Sequence, residues 1–140
     1  MKTRFSILFF LLLGSAVICV YSVYGDDSDR TKCIELLSDY GWEVKDTPED
    51  VQEITIPKVF DKVYENYNEI QKKSKFDLLP YRGKSGTRYT FIITNYPADV
   101  GETVYSNVII IDGKPVGGDI MTVSLSGFMH GIAENTPIND

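Results

Sequence analysis

His130 is the only imidazole in this 140-residue chain, and Cys19 and Cys33 are its two thiols. Nucleophilic catalysis needs a base beside the nucleophile and a third group that orients the base. Only His130 can supply the imidazole. Cys33 belongs to a helical stripe that faces a core, and Leu125-Ser126-Gly127 lacks the strand-turn-helix frame of a nucleophile elbow. A triad is therefore not expected. The cluster Asp26-Asp27-Ser28-Asp29 lacks the spacing of a calcium loop and reads as the start of a helix. No P-loop motif occurs either, and no metal site or cofactor is expected. Paired carboxylates for glycoside hydrolysis are weakly supported: Asp112 belongs to a turn, and no second acid is fixed at a suitable distance.

The remaining candidate joins Gly117-Gly118-Asp119 to Gly127-Phe128-Met129-His130-Gly131. Paired glycines let a backbone approach something closely, and the acid beside them can accept hydrogen bonds from a ligand or orient His130. Arg88, Asn95 and Tyr96 join this site if Arg88 lies on the solvent face of its strand. The expected binding residues are thus Asp119, His130, Arg88, Tyr96, Gly117 and Gly118. The competing reading is structural: a β-bulge whose aspartate holds a loop, and a histidine that is packed or solvated.

The elements that position these residues follow from periodicity. Asp27, Ser28 and Asp29 provide capping chemistry before Cys33, Leu36, Leu37 and Tyr40 recur at helical spacing, and Gly41 ends that helix. Trp42-Glu43-Val44 and Gln52 to Ile56 read as short strands. Pro57 suits the first turn of a second helix, with Val59, Phe60, Val63, Tyr64, Tyr67 and Ile70 as its apolar stripe. Leu78 to Tyr81 is a short strand candidate. Arg88 to Asn95 alternates, and Val104 to Ile111 is apolar enough to be covered on both faces. Asp112-Gly113 is the signature of a two-residue type I′ hairpin, so Lys114 to Val123 runs back beside it. Pro115 argues that this strand is partly an edge, and Gly117-Gly118 suggests a bulge.

The expected fold class is α+β: a two-layer, antiparallel meander of three to five strands packed against one or two helices. A hydrophobic helix precedes it. Phe5 to Gly25 carries no charge, follows Lys2 and Arg4, and is followed by Asp26, Asp27 and Asp29. At about 1.5 Å per residue this stretch reaches roughly 30 Å, enough to cross a bilayer. The positive flank stays in the cytoplasm, so the domain is expected outside it on a single-pass anchor. The alternative is secretion after cleavage near Gly25, where Val23-Tyr24-Gly25 would free the domain cleanly; Gly14-Ser15-Ala16 is a second conceivable site. Cys19 lacks the small residue before it that lipidation requires. The expected organisation is a leader over 1–25, one domain over 26–132 and a fraying tail over 133–140.

Charge narrows the partners. The 20 acidic residues exceed the 14 basic ones, for a net charge of −6, and Lys2 and Arg4 sit in the leader. Such a surface repels phosphate backbones and anionic lipid, so nucleic acid is not expected as a partner, and the membrane is met through the leader only.

Seven motifs resemble a family of small uncharacterised bacterial extracytoplasmic domains that follow an amino-terminal membrane segment. They are Tyr40-Gly41-Trp42-Glu43-Val44, Ile56-Pro57-x-x-Phe60, Tyr64-x-x-Tyr67-Asn68-x-x-Gln71, Arg88-Tyr89-Thr90, Asn95-Tyr96-Pro97, Gly117-Gly118-Asp119 and Gly127-Phe128-Met129-His130-Gly131. The similarity spans about residues 30–132, and Pro115 and Lys75-Phe76 depart from it. The resemblance implies a location and a domain boundary, and no activity. Function is therefore expected to be that of a non-catalytic, membrane-tethered module binding a protein or envelope component. The alternatives are a small envelope hydrolase using Asp119 and His130, or a regulator of an envelope protease.

Overall fold

The computed structural model describes residues 26–134. The expected anchor, both cleavage sites, Cys19 and residues 135–140 lie outside the described residues. Within them, no helix is long and apolar enough to cross a membrane.

Helix α1 runs Asp27–Asp39, starting within the expected acidic cluster, but its cap is Asp26: that carboxylate accepts from the Ser28 amide at 2.8 Å, while the expected capping residues Asp27, Ser28 and Asp29 form the first turn. It ends in a Schellman motif. Gly41 adopts φ +87°, its amide donates to Ser38 O, and the Trp42 amide donates to Leu37 O. This left-handed conformation is available to glycine at little cost.

Helix α2 runs Lys62–Lys73, later than the start expected at Pro57. The Asp61 side chain accepts from the Tyr64 amide at 2.8 Å and so sets the first turn. The buried face consists of Tyr64, Tyr67, Asn68 and Gln71, whereas Val59 is 83% exposed and Val63 47% exposed. Two amides occupy places that an apolar stripe would have left to solvent, because their polar atoms meet backbone groups. Asn68 Oδ1 accepts from Leu78 N, and Gln71 Oε1 accepts from Gly118 N.

Five antiparallel strands form one sheet in sequence order: β1 Asp50–Thr55, β2 Ser85–Ile92, β3 Tyr105–Ile111, β4 Lys114–Met121 and β5 Met129–His130. β3 is central and buried at every residue. Asp112 and Gly113 both adopt positive φ between β3 and β4, as a type I′ turn requires. Gly117 pairs with Ile109 and Pro115 with Ile110, so Val116 is the extra residue of a bulge one position before the glycine pair. Two expected strands do not form. Val44 makes only a single bridge to Ile93, and Leu79–Tyr81 is a 3-10 turn, which the fixed φ of Pro80 suits.

The two-layer arrangement is corrected as well. Cys33 and Leu37 of α1 pack with Tyr89, Phe91, Val108, Ile110 and Ile120, whereas Tyr64 and Tyr67 of α2 pack with Ile54, Ile109, Ile111 and Val116. Alternate residues of β3 fall into different clusters, so the helices cover opposite faces and the sheet is the middle layer. The physical reason lies in Val108 to Ile111: an unbroken apolar run needs cover on both sides.

Candidate functional site

Asp119 lies in β4 on the face covered by α2 and is fully buried. Its Oδ2 accepts from the Tyr67 hydroxyl at 2.8 Å and its Oδ1 from Asn107 Nδ2 at 2.9 Å. The chain continues across the sheet, where Thr90 Oγ1 donates to Asn107 Oδ1 at 2.7 Å. Register explains the line: Thr90 pairs with Asn107 and Asn107 with Asp119, so the three share one face of β2, β3 and β4. Burial raises the Asp119 carboxyl to about 6, against the opposing pull of its two hydrogen bonds and of the Arg88 charge. The Tyr67 hydroxyl is pushed well above its ordinary value, first by burial and then by the Asp119 charge.

Arg88 shares this face and is 1% exposed, not solvent-facing as the site required. Its Nη2 donates to Gln52 Oε1 at 2.8 Å and lies 3.5 Å from Asp50 Oδ2. Burial lowers the guanidinium to about 10, and Asp50, Tyr67 and Asp119 act against that loss. Asp119 and Arg88 thus belong to one buried polar network running from α2 to β1.

His130 belongs elsewhere. It is the register partner of Ile120, which packs on the α1 side, so the imidazole and Asp119 point from opposite faces of the sheet. Its ring is nearly parallel to Phe128 at 5.6 Å and tilted against Trp42 at 6.2 Å. Tyr96 stacks between Trp42 at 5.7 Å and Phe128 at 5.4 Å. His130 Nδ1 lies 2.8 Å from the Gly131 carbonyl oxygen, which can only accept, so Nδ1 carries a proton. In the neutral ring Nε2 then accepts from the Tyr96 hydroxyl at 2.9 Å. Trp42 Nε1 donates to Ile132 O at 2.8 Å and closes the cluster. Asn95 stands beside it as a clamp, accepting from Glu43 N and donating to Gly41 O.

The expected site therefore divides. Asp119 and Arg88 come together, His130 and Tyr96 come together, and the pairs are separated by the thickness of the sheet. Gly117 and Gly118 serve the fold's own packing. A Cβ on Gly117 would meet Gln71 Oε1 and Leu78, and one on Gly118 would meet the Asn107 carbonyl oxygen and Ile132. The residues that sequence reasoning missed are Tyr67, Asn107, Thr90 and Gln52 on one face, and Trp42 on the other; Phe128 was within the candidate stretch but had no expected role. One signal was available: Asn107 is an amide inside an otherwise apolar strand, and a buried amide demands polar partners. Among the described residues, no three His, Cys, Asp or Glu side chains group to hold a metal ion. Cys33 is free and buried, its thiol pushed up to about 12 by burial, so it is packing and not a nucleophile.

A family model described as Domain of unknown function (DUF4830) matches residues 36–120, more than half of the chain. The chain belongs to the DUF4830 family. The match reaches from the last turn of α1 through Ile120, so the DUF4830 core contains the whole Asp119 network, whereas His130 and Phe128 follow it. No curated protein and no solved structure matches the chain.

Proposed function

We propose that this DUF4830 protein is a non-catalytic binding module, carried outside the cytoplasm by its amino-terminal apolar segment. One observation supports the reading above the others: Asp119 and His130 leave opposite faces of the sheet, and Asp119 is sealed beneath α2. General acid and base roles require both groups within reach of one substrate, and this geometry offers them none. The residues that looked catalytic instead fasten the layers together, and the surface is left to recognition. The full chain is expected to give no turnover of envelope peptides or glycans between pH 4 and 9. Turnover that is abolished by Asp119→Asn or His130→Gln would overturn the proposal and restore the hydrolase reading. Location is tested separately: protease added to intact spheroplasts should degrade residues 26–134, and protection until the membrane is opened would place the domain inside.

A further inference from the structure

The two long edges of the sheet differ in what they offer. Along β4 the outer edge is closed: Pro115 has no amide to give, Gly118 N donates to Gln71 Oε1, and Ile120 and Met121 pair with β5. Along β1 it is open. Ile56 N donates to Lys84 O and Gly83 N donates to Ile56 O, which fixes the alternation of the ladder. Gln52 and Ile54 turn their backbone groups toward β2, and Val51, Glu53 and Thr55 turn theirs outward. The close side chains of Thr55 and Ser85, with hydroxyls 3.0 Å apart, mark that pair as non-hydrogen-bonded and agree with this phase. β1 contains no proline, pairs with β2 in unbroken register over all six residues, and spans roughly 20 Å.

The charge beside this edge is predominantly acidic. Asp46, Glu49, Asp50 and Glu53 lie between Lys45 and Lys58 with no basic residue among them in the chain. Asp50 is paired with Arg88, and Arg30 donates to the Asp46 carbonyl oxygen, which leaves the Glu49 and Glu53 carboxylates beside the strand without an ion pair among the described residues. We infer that the outer edge of β1 accepts an extended peptide strand bearing lysine or arginine from a partner protein. Backbone pairing with Val51, Glu53 and Thr55 would hold the strand, and the acidic flank would select its charge. A second copy of this chain fits less well, because antiparallel pairing of β1 with β1 about the middle of its three outward residues would set Glu53 of one copy opposite Glu53 of the other. The inference rests on the binding-module reading and adds to it the place and the partner's chemistry.

The test uses the full chain in nonionic detergent and three eight-residue probes: alternating valine and lysine, alternating valine and glutamate, and the valine–lysine peptide with alternate amides N-methylated. The valine–lysine peptide should bind and slow hydrogen exchange at Val51, Glu53 and Thr55. The glutamate probe and the N-methylated probe should each bind at least tenfold more weakly, the latter separating strand pairing from bulk charge attraction. Glu53→Pro removes an outward amide that β2 does not use and should cut binding tenfold or more. Glu53→Lys, which keeps that amide, should narrow the preference for the lysine probe over the glutamate probe severalfold. Equal binding of the N-methylated peptide, protection confined to another edge, or no binding at all would each overturn the inference and mean that the acids only shield a bare edge. None of those results touches the binding-module reading, which fails separately if the chain turns over substrate.

Discussion

The two faces of the sheet are built from different materials. Under α1 lie apolar and aromatic rings, with His130 stacked among them and hydrogen-bonded to the Tyr96 hydroxyl and the Gly131 carbonyl oxygen. Under α2 runs a polar line of Thr90, Asn107, Asp119 and Tyr67, with Arg88 beside it. An apolar face tolerates many arrangements of similar volume, whereas a buried polar line accepts only the register that satisfies every member. The contrast assigns the faces different duties: the α1 side supplies burial, and the α2 side fixes how helix and strands align.

That contrast is broken most directly at Asp119. Asp119→Ala strands the Tyr67 hydroxyl and Asn107 Nδ2 without an acceptor and leaves the buried Arg88 charge less compensated. We expect a loss of about 3–5 kcal/mol in urea unfolding of the full chain, a large part of what a domain of this size holds. A loss under 1 kcal/mol would mean that the polar line does not align the layers. The next largest effect is on pH dependence. The carboxyl titrates near 6 in the folded chain and near its ordinary value of 3.8 when unfolded, so the folded state binds the extra proton between those values. The contribution is therefore fully present below about pH 4 and is lost as pH rises toward and through 6, amounting to about 3 kcal/mol at 1.36 kcal/mol per unit. Asp119→Asn should remove this slope from the stability profile measured between pH 4 and 7. A slope that persists in the variant would assign it to other groups.

Local features were legible in the sequence because each has a local cause. Asp112-Gly113 announced its turn through positive φ, Gly41 its helix end, and the cluster Asp26-Asp27-Ser28-Asp29 its helix start. The cap itself is Asp26, one residue before the expected Asp27, Ser28 and Asp29. The all-buried strand at β3 was readable from its unbroken apolar run. Features that depend on register were not legible. Asp119 and His130 looked like neighbours, yet the pairing of Ile120 with His130 decides which face each takes, and a shift of one residue would have reversed the answer. The loop of 122–128 does not encode that register in its composition. The α2 stripe was misplaced for a related reason: Asn68 and Gln71 appear polar until the backbone amides of Leu78 and Gly118 are brought to them by the fold. The glycine pair was expected to form a bulge, whose extra residue is instead the preceding Val116, and what crowds the pair comes from residues distant in sequence, Gln71 and Ile132.

The α1 side should respond mildly where the α2 side responds strongly. Trp42→Phe keeps a ring in the stack but removes the donor to Ile132 O and part of the buried indole volume, so a loss of about 2 kcal/mol is expected. His130→Phe should cost less still, within about 1 kcal/mol, for three physical reasons. A phenyl ring preserves stacking on Phe128 and Trp42. The Tyr96 hydroxyl loses an acceptor but belongs to a half-buried residue with access to water, so it is not stranded as Tyr67 would be. The Gly131 carbonyl keeps its bond from the Glu134 amide. Thermal unfolding at pH 7 checks both variants against Asp119→Ala. If His130→Phe destabilises as much as Asp119→Ala, the imidazole is a fixed polar anchor in its own right and the division of duties between the faces fails.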